Sequence, residues 1–265
     1  MRKLLLILLC FVLLAFTPST TAFMLVGDST PEAGGASASD IVFWLNFEEG
    51  DNVTPYTMGA GECSDGDTAG DFAGSMAVNV DAALTGTYGL DSPGAGDYIT
   101  FNAYNDDIVN ATACIIGFKL YINTWANLST LVEYYVDGSN YFSLRLSNDG
   151  DDFYIYWYEG GVSKVIGDID VNLSATTEYY VEFFIDAANN VRKVRIDGGG
   201  WVSDATEFVG FAGAVDTNEP FRTGSVTNAN DVYIDQVIVS FDITTPRDLN
   251  ALKDTATKLD GSCDG

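Results

Sequence analysis

Residues 153–158 read FYIYWY. A two-residue strand period puts Tyr154, Tyr156 and Tyr158 on one side and Phe153, Ile155 and Trp157 on the other. The Phe/Ile/Trp side reads as core, which turns the tyrosines outward. Tyr121, Tyr141, Arg145, Tyr180 and Glu182 hold comparable outward positions on their own strands. Flat aromatic rings flanked by charged and amide groups are what a sugar-binding surface needs: rings to stack on pyranose faces, polar heads to reach hydroxyls. Tyrosine's preference for strand faces accounts for the same pattern without a ligand, so both readings stand.

Hydrolytic chemistry has less to draw on. The chain has no histidine, which removes Ser–His and Cys–His nucleophiles and every His-ligated metal site. Glu178, Glu182 and Asp186 share a strand face through their spacing of four. Glu178 and Glu182 lie ~13 Å apart along an extended strand, too far to work as a pair. The Asp/Gly-rich stretch 62–71 lacks the ligand order of an EF-hand loop. Four N-x-S/T sequons begin at Asn52, Asn110, Asn127 and Asn172, with meaning only in a eukaryotic secretory pathway.

The elements that must position these residues are strands. Residues 41–47 form an apolar, aromatic run, and 97–102 a short strand. Residues 113–122 alternate, with Cys114, Ile116, Phe118, Leu120 and Ile122 on one face. Strand patterns follow at 130–136, 141–147, 153–158, 178–185, 191–197 and 232–241, punctuated by Asp137-Gly138, Asn148-Asp149-Gly150 and Gly198-Gly199-Gly200 turns. Residues 50–75 read as a long loop. Only 246–259 has a helical pattern, short and C-terminal. About ten residues per strand and turn predicts an all-β, two-sheet antiparallel β-sandwich of the jelly-roll kind.

The ends carry other signals. Met1-Arg2-Lys3 precedes an unbroken apolar run from Leu4 to Phe16, then Pro18 and Thr20-Thr21-Ala22. That run has the length of a signal-peptide core and falls short of the roughly 20 residues of a membrane span. The expected organisation is a signal peptide over 1–22, a flexible lead-in over 23–39, one β domain over 40–243 and a tail over 244–265. A later cut near Ala33 or Ala36, and an uncleaved anchor, are the alternatives. Cleavage implies a secreted, extracellular or cell-surface protein (or a periplasmic one) with no stable membrane insertion. Cys63, Cys114 and Cys263 then remain. Cys114 reads as a buried thiol inside a strand, and Cys63–Cys263, both in Gly/Asp-rich loops, as the favoured disulfide. With 38 acidic against 12 basic residues and a net charge of −26, the surface repels nucleic acid and anionic membranes and favours cations.

The order of these segments resembles the concanavalin A-like lectin/glucanase superfamily, and within it the LamG-like branch. FWLNFEEG (43–50), YGLDSPGAGDYITF (88–101), ACIIGFKLYINTW (113–125), NYFSLRLSNDG (140–150), EYYVEFFID (178–186), VRIDGGGW (194–201) and VYIDQVIVSF (232–241) carry the likeness, covering most of 41–241. The resemblance implies a glycan-binding jelly roll. It further implies a structural Ca²⁺ held by Glu48 and Asp235, with Glu49, Asp51 and Asp231 as helpers, because related domains pair an N-terminal F-E segment with a C-terminal I-D-x-V strand. Asp235 shares its alternation with Val237 and Val239, and a carboxylate on an apolar face requires a cation or hydrogen-bond partners. Hydrolases of this fold carry E-x-D-x-E on one strand, and that motif is absent. The expected function is a secreted, non-catalytic lectin-like domain binding polysaccharide or cell-surface glycan. A structural or adhesive surface protein is the alternative, followed by a glycoside hydrolase or lyase.

Overall fold

The computed structural model describes residues 41–50, 52–53, 55–59, 62–64, 69–101, 113–137, 139–159, 161–186, 191–203, 221–225, 227, 231–241 and 249–251. The expected signal peptide, lead-in and most of the tail lie outside them. Among the described residues no helix is long and apolar enough to cross a membrane.

The strands are β1 (Ile41–Leu45), β2 (Tyr56–Thr57), β3 (Cys63–Ser64), β4 (Ala69–Ala73), β5 (Ala77–Asn79), β6 (Gly89–Ser92), β7 (Asp97–Phe101), β8 (Ala113–Thr124), β9 (Thr130–Asp137), β10 (Asn140–Leu146), β11 (Phe153–Glu159), β12 (Val162–Ile169), β13 (Glu178–Asp186), β14 (Val191–Ile196), β15 (Phe221–Ser225) and β16 (Asp231–Ser240). They form two antiparallel sheets. Sheet A runs β14-β13-β8-β16-β1-β3, with β6 on β16 and β5 on β6; sheet B runs β12-β11-β10-β9-β15-β7-β4-β2. The fold is the expected all-β, two-sheet sandwich.

Period-2 patterning explains how the sheets close. Cys114, Ile116, Phe118, Leu120 and Ile122 of β8 face Phe142, Leu144 and Leu146 of β10 and Phe153 and Ile155 of β11 across one buried cluster. At roughly 25 cal/mol per Å² of apolar surface, this inter-sheet layer is the main stabilising term. A second, smaller cluster lies on the opposite side of sheet A. There Ile41, Trp44, Ile115, Tyr180, Phe184 and Ile238 are covered by Leu249, which sits in a single 3₁₀ turn, Leu249–Ala251. That turn is all the described residues show of the helix expected over 246–259.

Three segments depart from the sequence reading. The presumed loop 50–75 contains β2, β3 and β4. Its glycines are not all turn residues: a side chain at Gly70 would run into Ile99 and Phe101, so this glycine permits close packing inside a strand. Residues 162–169 form β12, which among the described residues is an edge strand paired to β11 and whose sequence VSKVIGDI lacks apolar alternation. Residues 221–225 form β15, inserted between β7 and β9, where FRTGS shows almost no strand signature. Ladder hydrogen bonds from both neighbours hold it in place of a propensity of its own.

Candidate functional site

Sheet B brings most of the candidate residues together on its outer face. Tyr141 pairs with Tyr158, Ser143 with Tyr156 and Arg145 with Tyr154 across β10 and β11. The rings of Tyr141 and Tyr158 lie 5.3 Å apart at 24°, Tyr141 and Tyr156 5.7 Å apart at 26°, and Tyr156 and Tyr158 6.3 Å apart at 9°. The Arg145 guanidinium sits 4.2 Å above the Tyr156 ring, and its Nε donates to Ser143 Oγ at 2.7 Å. Burial and the neighbouring Tyr156 raise the Tyr141 phenol above its ordinary value, while Arg145 pulls the other way.

The face extends further than the sequence reading placed it. The Tyr135 ring of β9 lies beside Tyr141 at 5.9 Å, tilted by 32°. Arg222 of β15 lies over Tyr135 at 4.5 Å and Tyr98 at 5.4 Å and donates to Glu133 at 2.9 Å. Cross-strand register makes a continuous row: Asp71, Thr100, Arg222, Glu133, Ser143, Tyr156. It crosses six strands, or about 24 Å at the usual strand spacing. Glu133 is nearly buried. Burial pushes its carboxyl above the ordinary range, and the Arg222 and Arg145 guanidiniums offset part of that. The one legible signal for Glu133 was a lone acid in the apolar run TLVEYYV. Arg222 had none, because β15 itself was not legible.

The other candidates sit elsewhere. Tyr121, Tyr180 and Glu182 belong to sheet A, so the expected single row does not exist. Strand alternation says which side of its own sheet a residue faces; it does not say which sheet. Tyr180 and Glu182 are also not outward in the sense of solvent. Tyr180 is 1 % exposed, within the cluster that Leu249 closes, and Glu182 is 0 % exposed. Glu182 receives both the Arg195 Nε and, at 2.7 Å, the Arg195 Nη2 donor, and Arg195 stacks on Trp201 at 4.5 Å. Tyr180 packs in that cluster, and Glu182 is held in an ion pair with Arg195. Tyr121 is partly exposed and stacks on Tyr233 of β16.

The two expected calcium ligands bind one loop. Glu48 accepts the backbone N–H groups of Thr87 and Tyr88 at 2.8 and 3.2 Å. Asp235 accepts those of Leu84 and Thr85 at 3.1 and 2.7 Å through Oδ2, and that of Gln236 at 2.7 Å through Oδ1. The alternation argument for Asp235 needs correction. A bulge between Asp235 and Ile238 shifts the ladder, with Gln236 at a φ of 49°. Val232 and Ile234 face the main core before it, Val237 and Val239 after it. Asp235 therefore points to the outer side, opposite Lys119, buried under residues 84–85. The partners that a buried carboxylate requires are backbone N–H groups. Burial pushes its carboxyl up to about 8, against those three donors and the Lys119 charge. Of the helpers, Asp231 lies further along β16, bonded by Asn123, and Asp51 lies outside the described residues.

Asp149, Asp151 and Asp152 bring carboxylate oxygens within 4.8 Å of one another, but Asp152 already accepts the Val171 and Asn172 N–H groups. Cys114 is buried in the main core. Cys263 lies outside the described residues, and with it the expected bridge to Cys63.

No protein-family model matches the chain, and no curated protein matches it in sequence. Solved structures do match. Domain 4 of AbnA, a GH43 extracellular arabinanase from Geobacillus stearothermophilus, solved with arabinotriose, aligns with a TM-score of 0.59 at 14 % identity, over 80 % of this chain and 98 % of that domain. The binding domain of botulinum neurotoxin DC, solved with SialylT, aligns with a TM-score of 0.52 at 12 % identity, over 85 % of this chain and 50 % of its own length. Trypanosoma rangeli sialidase with sialic acid gives 0.50 at 13 % identity, over 84 % and 32 %. The chain thus spans about half of the toxin domain and about a third of the sialidase. At these identities the likeness is one of fold: a β-sandwich that recurs in carbohydrate-binding proteins.

Proposed function

We propose that this protein is a secreted, non-catalytic, lectin-like jelly-roll module that binds polysaccharide or cell-surface glycan along the outer face of sheet B. The observation that carries the reading is the tyrosine–arginine band. Tyr98, Tyr135, Tyr141, Tyr156 and Tyr158, interleaved with Arg145, Arg222, Glu133 and Ser143, combine ring surface with donors and acceptors over a length suited to several sugar residues. The solved relatives bound to arabinotriose, sialic acid and SialylT support the ligand class. A binding role is favoured over hydrolysis by the spacing of acids on this face. Asp71 and Glu133 stand three strand steps apart in the cross-strand row, about 14 Å, beyond the ~9.5 Å that a two-carboxylate mechanism allows.

Affinity electrophoresis against a polysaccharide panel tests it. Tyr156→Ala removes a ring and the Arg145 seat together, so the expected loss is about tenfold, ~1.4 kcal/mol, with an unchanged thermal midpoint. Retardation by no polysaccharide, or retardation indifferent to Tyr156→Ala and Tyr141→Ala, would overturn the assignment to this face.

A further inference from the structure

The outer face of sheet A carries a second opening, away from the tyrosine band. Tyr121 and Tyr233 are cross-strand partners whose rings lie 5.6 Å apart at 14°. With Asp81, Leu84, Asn123 and Glu178 they line a pocket of about 350 Å³, the size of a small-ligand site. Its hydrogen-bonding character leans towards acceptors. Asn123 Nδ2 gives its two hydrogens to Asp231 Oδ2 at 3.2 Å and Tyr233 Oη at 3.1 Å, which exhausts that amide's donors. Lys119, beneath the pocket, is turned to the Leu84 carbonyl at 3.0 Å and to Glu178 at 3.2 Å. What remains for a ligand is the two tyrosine hydroxyls, acceptor oxygen, negative charge and aromatic ring. The electrostatics agree. Burial and then Asp91 raise the Asp231 carboxyl. Burial and then the charges of Asp91, Asp231 and Asp81 raise the Tyr233 phenol.

We propose that this pocket is a separate saccharide subsite selective for a sugar that carries a protonated amine. The sugar ring lies against the Tyr121–Tyr233 pair, and the ammonium group faces Asp81 and Glu178, with Asp231 held by Asn123. A neutral sugar supplies hydroxyl donors but leaves the pocket's acidic excess, Asp81 and Glu178 against Lys119, uncompensated. An ammonium supplies three donors and the missing positive charge, next to a ring face that attracts cations. The inference shares the glycan ligand class with the function proposed above but uses a different face.

The test is calorimetric titration of the full chain with tetramers of β-linked glucosamine and of N-acetylglucosamine at pH 6. The expected result is at least tenfold tighter binding of the amine form, weakened by raising salt. Asp81→Asn, a change on an exposed loop residue with little folding risk, and Tyr233→Ser should both abolish the preference, while Tyr156→Ala should leave it intact. Equal binding of the two tetramers overturns the proposal, as does a preference lost in Tyr156→Ala and kept in Asp81→Asn. Stoichiometric competition by Ca²⁺ alone overturns it in favour of a metal site. Failure of the sheet B reading would show separately, as polysaccharide retardation indifferent to Tyr156→Ala.

Discussion

Single residues decide more here than their exposure suggests. Glu62 was not singled out in the sequence, yet its carboxylate receives the N–H groups of Asn46, Phe47 and Gly59 and the Tyr56 hydroxyl, at 2.7–2.9 Å. It thereby holds Phe47 at a φ of 60° where β1 ends. Glu62→Ala strands several buried donors, so a loss of roughly 3 kcal/mol is expected, read as a lower urea midpoint. Glu48 and Asp235 invite the opposite experiment. Five backbone N–H bonds to these carboxylates already supply what an ion would have to displace. EDTA should therefore leave the thermal midpoint unchanged; a fall that Asp235→Asn removes would put a structural cation at this loop.

Among the elements, the β8–β13 pair shows what a strand pattern conveys and what it omits. The inward set of β8 was readable from alternation, and each of its residues lies in the core. The outward set was readable only as outward, since the sequence does not reveal that Leu249, from the C-terminal segment, covers half of it. Gly117 marks that cover. It pairs with Glu182, and a side chain at this position would collide with the Tyr180 hydroxyl and press on Leu249. Gly117→Ala should cost about 1–3 kcal/mol, and adding Tyr180→Phe should recover part of it, a coupling that a double-mutant cycle in urea measures. The bulge at Gln236 is the same lesson on β16. One extra residue moves every later side chain to the other face, and nothing in VYIDQVIVSF announces it. Trp44 Nε1 donates to Gln236 Oε1 at 3.0 Å, a contact 192 residues away in the chain.

At the scale of the whole molecule, charge governs the response to pH. Burial is the largest cause of the upward shifts of Glu62, Glu133, Asp231 and Asp235. A carboxyl whose folded value exceeds its unfolded value makes the native state bind the extra proton between the two. Its contribution is full below the unfolded value and is lost as pH rises through the window, for Asp235 from 3.8 to about 8. Self-repulsion of a chain with a net charge of −26 acts in the same direction. The thermal midpoint should fall between pH 5 and pH 8, and less steeply in Asp235→Asn whatever that variant's absolute stability. Adding salt at pH 8 should recover part of the loss by screening. A midpoint that rises over this interval would contradict the sign.

The sequence by itself determined the fold class, the inward face of the long strands, the acidic surface and the absence of histidine chemistry, because period-2 alternation and composition are local properties. Tertiary structure decided which sheet each outward residue joins, and so which tyrosines meet. It gathered Tyr141, Tyr156 and Tyr158 with the unforeseen Tyr135, Arg222 and Glu133. It also buried Tyr180 and Glu182, and set Tyr121 beside Tyr233. Those juxtapositions depend on strand order, on a one-residue bulge and on strands too short or too polar to show a pattern, all of which arise from pairing between distant segments.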